Sequence, residues 1–406
     1  MKINNRWLFL LSLLALSMLH LWFAVQSGDY FSGDDFAVLA YFKTHSVYSG
    51  IPDFLSHGDI WGFRKITGYI FFAGLYRLFS AQPLPFILFN HLLHTGSVLL
   101  VFLIVFRMSK DGFKAFFSGL IFNSLYLHYF SNIHEYSAVF FALLSVYTYL
   151  VSRLRVSLML FILAIFSKEI SVVLPLVLSA FNLHLQRPYK SLIPYLLIAG
   201  SFTAYQIMTA IDRVFLLASH PYALAWPGSA ALSYYISPLI LVFLFFLAFL
   251  SRAKTGIFLF AAFVLSLLPV LFLAHRQEDY YFYLPLAILS LFLGFTLPRL
   301  TVSTAAVYMA VFFIMGGRHI FPPLARTRYP NWQLVSINQV IDNVRFNLKS
   351  ASASASIAFS DMRLERDANL MLGSQVVDLF LPVDISQKYD FSYNQDSHVL
   401  TVVRKD

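Results

Sequence analysis

Long apolar segments recur along almost the whole chain, and they limit its possible folds more than any other feature. Of the 406 residues, 59% are hydrophobic and only 12% are charged, whereas soluble globular proteins carry about 25% charged residues. Because a membrane-spanning helix needs about 20 apolar residues, we expect an all-α polytopic membrane protein with about 11 transmembrane helices. The candidate spans lie near 7–25, 85–106, 113–130, 135–151, 156–167, 169–183, 191–211, 235–251, 256–274, 280–297 and 302–317.

Basic residues are distributed as the positive-inside rule requires if the N-terminus is cytoplasmic. The short connections on that side then carry simple cations: Arg6, Arg107, Lys110, Lys114, Arg153, Arg155, Arg187, Lys190, Arg252, Lys254 and Arg299. This pattern requires two crossings between residues 156 and 183, although both stretches are short and one long broken helix is the alternative. The net charge of +9 is explained by these loops and does not indicate nucleic-acid binding.

The predicted outer face carries the longer polar segments. In the first loop, 26–84, helix-like apolar patterns predict two amphipathic surface helices at 34–47 and 63–80. After a transmembrane domain of residues 1–317, the tail of residues 318–406 is predicted to form a small extracytoplasmic α/β domain. Its strand-like runs lie near 355–359, 377–382 and 397–403, with a turn signal at 394–397.

Unusual polar residues gather at helix ends on this face. Asp34 and Asp35 follow the first span, where two adjacent carboxylates repel each other and are costly near hydrocarbon. The other clusters are Arg64-Lys65, His134-Glu135, Lys168-Glu169 and His275-Arg276-Gln277-Glu278-Asp279-Tyr280-Tyr281. Helix capping or snorkelling explains any one of them. Their common location on one side is what indicates a functional site.

Two of the cations suit the binding of a phosphate. Lys168 is flanked by apolar residues, so it belongs either to a structural ion pair or to a phosphate site in which Glu169 orients it. Arg276 can bind a phosphate through two parallel hydrogen bonds. The tyrosines after it fit an interfacial aromatic belt or a surface on which a sugar stacks.

A metal centre has less support in the sequence. His134 and Glu135 have the chemistry to bind a divalent cation together with Asp34 or Asp35, but no local metal motif accompanies them. The chain has no cysteine, which excludes thiolate catalysis and cysteine-bound zinc. We therefore predict no metal site or cofactor, with a divalent cation as the open alternative.

The order of these features resembles the GT-C superfamily of membrane glycosyltransferases. Its members begin with one helix, followed by a long extracytoplasmic loop with two surface helices and a catalytic acid near its start, the position of Asp34-Asp35. The run from Lys168 to Pro175 is similar to a Lys-Glu segment midway in such proteins, and Glu278 to Pro285 is similar to a late acid-Tyr-Leu-Pro segment. The resemblance covers about residues 1–317. Many relatives have an Arg directly before the Tyr run, whereas Arg276 is separated from it here.

The resemblance implies transfer of a sugar from a polyprenyl-phosphate donor to a hydroxyl of a glycan, lipid or protein, on the outer side of a bacterial inner membrane. Asp34 or Asp35 would act as general base, and inversion would result. Arg64, Lys168 and Arg276 would neutralise the leaving phosphate. Substrate-orienting roles would fall to His134, Glu135, Glu169, His275, Glu278, Asp279, Tyr280 and Tyr281.

Two other functions compete with this one. A multi-span transporter or lipid flippase also has many spans and intramembrane charges, but it is expected to place them near the bilayer midplane on broken helices. A catalytically silent membrane scaffold whose tail binds a partner is the third possibility.

Overall fold

The structure is a computed structural model that describes most of the central helices and part of the C-terminal tail. The described residues are 5–26, 39, 70–124, 133–214, 244–245, 254–271, 279–296, 354–358, 389–394 and 399–404. The α-helices are α1 (Asn5–Gln26), α2 (Ile70–Phe79), α3 (Pro83–Ser109), α4 (Gly112–Asn123), α5 (Ile133–Leu150), α6 (Leu154–Ser167), α7 (Leu174–Leu185), α8 (Ile193–Val214), α9 (Lys254–Leu271) and α10 (Tyr283–Thr296). Three 3-10 turns, Glu169–Val173, Tyr189–Leu192 and Asp279–Phe282, precede α7, α8 and α10.

The described residues are mostly helical, as the hydropathy predicts. Two helical stretches, Pro83–Ser109 and Tyr189–Met208, are long and apolar enough to cross a membrane by length and composition. The predicted span at 302–317, nearly all of the one at 235–251, and the surface helix at 34–47 except residue 39 lie outside the described residues. The count of eleven spans therefore remains a prediction. Within the predicted surface helix at 63–80, the structure describes a helix at Ile70–Phe79.

Helices α1, α3 and α4 pack together in a fixed register. The ring of Phe9 stacks on Phe116 at 5.1 Å, and a Cβ added to Gly119 would lie 2.8 Å from Leu13 Cδ1. Further along α1, Ser17 Oγ lies 2.6 Å from Thr95 Oγ1 of α3. Helix α1 therefore runs in the same direction as α4 and antiparallel to α3, so that it begins at the α3–α4 turn.

Helices α5 and α6 form an antiparallel hairpin joined at residues 151–153. Within it, the Ser145 and Ser157 hydroxyls each donate to the other residue's carbonyl at 2.7 Å. These buried hydroxyl–carbonyl contacts satisfy polar groups inside an otherwise apolar interface and fix the register of the two helices. The hairpin register brings the start of α5 to the end of α6.

The chain reverses direction at Lys168. Helix α6 ends at Ser167, Lys168 is extended with φ −153° and ψ 127°, and α7 begins after a 3-10 turn. Beyond the end of α7, Arg187 Nη1 donates to the carbonyl of Tyr149 at 2.7 Å, at the end of α5 where α6 starts. A single broken helix would carry Arg187 about 50 Å from this point. The chain thus runs out along α6 and back along α7, as the charge pattern predicts.

The described loop cations share one end of the helix bundle, which we call the basic end. Helices α3 and α5 run parallel. His94 of α3 lies beside Tyr136 of α5, and Gly96, further along α3, lies against Phe140, further along α5. The ends of α3 and α5 and the starts of α1, α4 and α6 therefore coincide. The residues gathered there are Arg6, Arg107, Lys110, Lys114, Arg153, Arg155, Arg187 and Lys190. The one-sided distribution of cations holds in three dimensions, whereas the membrane side remains a prediction.

The described part of the tail contains a three-stranded antiparallel sheet in the order β1-β3-β2, formed by β1 (Ser354–Ala358), β2 (Tyr389–Asn394) and β3 (Val399–Arg404). Strands β1 and β3 lie where the sequence predicts strands. Strand β2 was not predicted, although Tyr389, Phe391 and Tyr393 alternate with polar residues. Asn394 pairs with Val399, so the antiparallel strands β2 and β3 lie on either side of the predicted turn in the sequence. The predicted strand at 377–382 lies outside the described residues.

Candidate functional site

A buried ion pair joins two of the predicted polar clusters. Lys168 Nζ lies 2.5 Å from Glu135 Oε1, and the two side chains are only 4% and 7% exposed. Glu135 is in the first turn of α5 and Lys168 directly follows α6, so the antiparallel hairpin brings them together. A lone charge at this depth would cost several kcal/mol, and this cost explains why the two side chains are paired.

A third predicted cluster contacts the same ammonium group. Lys168 Nζ lies 5.0 Å from the centre of the Tyr281 ring, within the range of a cation–π interaction. Tyr281 is buried in the 3-10 turn that leads into α10. Residues far apart in sequence, at positions 135, 168 and 281, thus meet at one cation. We call Glu135, Lys168 and Tyr281 the Lys168 site.

The remaining predicted residues divide into two groups. His134 is buried beside Glu135 and Glu169 is partly buried beside Lys168, and the backbones of Asp279 and Tyr280 lie in the same 3-10 turn as Tyr281. Outside the described residues are Asp34, Asp35, Arg64, His275, Arg276 and Glu278. The roles predicted for those six residues therefore remain predictions.

Sequence reasoning missed a second polar group centred on His94. Its imidazole is fully buried, with Nδ1 2.7 Å from the Tyr283 hydroxyl and Nε2 3.1 Å from Asn123 Oδ1. Since an amide oxygen only accepts hydrogen bonds, Nε2 carries the proton and donates to Asn123. Nδ1 then accepts from the Tyr283 hydroxyl. A neutral imidazole is thus held as its Nε2-protonated tautomer between α4 and α10.

The same face of α3 carries further polar side chains. His91 Nε2 lies 3.1 Å from Thr95 Oγ1, and Asn90 is buried with no hydrogen-bond partner for its Oδ1 among the described residues. With His94, these residues occupy positions i, i+1, i+4 and i+5 of a long apolar helix. That spacing was the signal available in the sequence, because an ionisable residue inside a predicted span indicates a functional site by default.

The two polar groups are neighbours at one level of the bundle. The Tyr283 and Tyr136 rings are 5.1 Å apart in a T-shaped contact, and Tyr136 adjoins Glu135 in sequence. His94 lies 15 residues before the end of α3 and Glu135 lies 15 residues before the end of α5, which places both about 22 Å from the basic end. The 14 residues of α6 bring Lys168 to about 21 Å. We call this level the polar layer.

No metal centre forms within the described part of the chain, where no group of three His, Cys, Asp or Glu side chains is arranged to hold an ion. The carboxylate of Glu135, one of the predicted candidate ligands, is bound to Lys168 instead. The alternative of a divalent cation held with Asp34 or Asp35 involves residues outside the described ranges.

Comparisons of the chain with protein-family models, with curated proteins and with solved structures found no match.

Proposed function

We propose that the protein is a GT-C-type membrane glycosyltransferase that moves a sugar from a polyprenyl-phosphate donor to an acceptor hydroxyl. The observation that carries the proposal is the buried Lys168, held by Glu135 and Tyr281 where three helix ends meet. Transfer from such a donor requires a fixed positive charge at the phosphate, because the leaving group must be positioned and its charge balanced.

The depth of the polar layer suits a lipid-linked substrate. If the basic end marks one boundary of a hydrocarbon core about 30 Å thick, the layer at about 22 Å lies about 8 Å inside the opposite boundary. A donor phosphate anchored in the outer leaflet would meet Lys168 near the helix ends. A charge-assisted hydrogen bond from this ammonium would be strong there, because the surroundings have a low dielectric constant.

The direction of α1 supports this arrangement. Since α1 begins at the basic end, it finishes at Gln26 on the side of the polar layer, and its His20 ring lies 6.4 Å from that of His94. Asp34 and Asp35 follow eight and nine residues later. In the proposed reaction, one of them removes the acceptor proton as the hydroxyl attacks the anomeric carbon, a contribution of about 10²–10⁴-fold.

The test is transfer of a labelled sugar from polyprenyl phosphate by the purified protein in lipid. We expect Asp34→Asn or Asp35→Asn, and Lys168→Met, to lower transfer at least about 100-fold. Lys190→Met at the basic end is the matched control and should retain activity. Full activity in folded forms of both Asp variants would exclude the assigned base.

Transport is the second candidate function, because one observation favours it. Helices α6 and α7 are short and meet at an extended Lys168, and broken helices of this kind form the substrate sites of transporters. The depth of the polar layer does not separate the two functions, because the layer lies about 7 Å from the midplane and about 8 Å from the outer boundary of a 30 Å core. Uptake or lipid flipping by proteoliposomes, with no sugar transfer, would establish this function instead.

A further inference from the structure

His94 lies on α3, and one of its hydrogen bonds reaches the segment that contacts Lys168. Tyr283 begins α10 and is two residues beyond Tyr281. The Tyr283 hydroxyl donates to His94 Nδ1 at 2.7 Å. The bond therefore connects α3 to the segment that presents the Tyr281 ring to Lys168.

The other side of the imidazole is fixed as well. His94 Nε2 donates to Asn123 Oδ1 at 3.1 Å, which ties the ring to the end of α4. Helix α10 also packs closely on α3 and α4, because a Cβ at Gly294 would lie 2.8 Å from Val105 Cγ1. The start of α10 is thus anchored through a polar contact and the rest of the helix through close packing.

Aromatic packing alone provides a competing explanation for the position of Tyr283. Its ring lies 5.1 Å from the rings of both Phe122 and Tyr136, and it is fully buried. If packing is sufficient, removing the His94 hydrogen bond will leave the Tyr281 ring where it is. A decisive experiment must report on Lys168 itself.

We propose that His94 is a positioning residue: by holding the Tyr283 hydroxyl, it keeps the Tyr281 ring against the Lys168 ammonium. Its consequence for catalysis rests on the proposed function, because only there does Lys168 bind the donor phosphate. Its consequence for geometry does not rest on that function, because the Tyr281 ring lies against Lys168 whatever reaction the protein catalyses.

The geometric test is trace acetylation of the purified protein with acetic anhydride, with modification of Lys168 measured by mass spectrometry relative to exposed Lys190. We expect His94→Phe to raise the Lys168 to Lys190 ratio about fivefold, the effect of losing one buried hydrogen bond on a local opening. His94→Gln should keep the wild-type ratio, because its amide can accept from Tyr283 and donate to Asn123. Tyr283→Phe should act like His94→Phe.

Ser145→Ala is the matched control, because Ser145 is fully buried and its hydrogen bonds lie within the α5–α6 hairpin, away from the polar layer. It should leave the ratio unchanged. An unchanged ratio in His94→Phe, or an equal rise in Ser145→Ala, would overturn the inference. In the transfer assay, His94→Phe should lower kcat/KM and His94→Gln should restore it. A changed ratio in a protein that transfers no sugar would uphold the positioning role and refute the proposed function.

Discussion

Removing one partner of the Glu135–Lys168 pair tests the structure most directly. At a separation of 2.5 Å, two unit charges attract by about 7 kcal/mol at an effective dielectric constant of about 20, and desolvation of both groups offsets part of this. A single substitution leaves the other charge buried and unpaired, and the loss of stability measures the cost of that unpaired charge. With side chains only 4% and 7% exposed, we expect Glu135→Gln and Lys168→Met each to lower the free energy of unfolding by about 3–5 kcal/mol.

The assay is unfolding by SDS in mixed micelles, followed by tryptophan fluorescence. The double variant Glu135→Gln with Lys168→Met should cost much less than the sum of the single variants, because it leaves no unpaired charge. Lys190→Met is the matched control for loss of an exposed lysine. Single effects below about 1 kcal/mol, or additivity in the double variant, would refute the inference that the two charges stabilise each other in a buried site.

Exchange of the two charges separates stability from activity. Glu135→Lys combined with Lys168→Glu keeps an ion pair between α5 and the α6–α7 turn, so we expect much of the stability to return. It also moves the cation onto α5 and away from its position below the Tyr281 ring. Sugar transfer should therefore remain low, and full recovery of transfer would show that the location of the cation does not matter.

Further predictions concern the helix packing and are measured by the same unfolding assay. Gly96→Ala should lower the free energy of unfolding by about 1–3 kcal/mol, because the added Cβ would lie 2.7 Å from Phe140 Cε2, whereas Gly74→Ala, with nothing within 4 Å, should not destabilise the protein. Asp111→Ala should cost about 1 kcal/mol, since this carboxylate caps α4 by accepting from two backbone N–H groups at 2.9 and 3.1 Å. Asp111→Asn should keep most of that stability.

Helix positions could be predicted from the sequence because hydropathy is a local property. The ends of α3 and α5 match the predicted spans within a few residues, and the polar pair Lys168-Glu169 correctly marks the break between α6 and α7. Charge distribution also predicted that the chain returns at this break, since only then do Arg153 and Arg187 share an end.

The partners within the site could not be predicted in the same way. Hydropathy identifies helices but does not determine which of them touch, so nothing local indicates that Lys168 pairs with Glu135, 33 residues earlier. The charge pattern assigns Lys168 and Glu135 to one face, and the sequence predicts Glu169 as the acid that orients Lys168. His94 was missed for a different reason: the polar face of α3 lies inside an apolar span, whereas the predicted site residues lie at helix ends.

Polar contacts fasten α5, α6 and α7 to one another at both ends, and the predicted base does not belong to these helices. At the basic end, Arg187 bonds to the Tyr149 carbonyl and the Tyr149 hydroxyl lies 2.7 Å from Ser191 Oγ. At the polar layer, Lys168 bonds to Glu135. Because these helices are fastened at both ends, the Lys168 cation is held at a fixed position among them, as the proposed phosphate binding requires. The predicted base, Asp34 or Asp35, belongs to a different part of the chain, which follows α1 in the sequence. Donor binding should then depend chiefly on the fastened helices, and the chemical step on the approach of Asp34 or Asp35 to them.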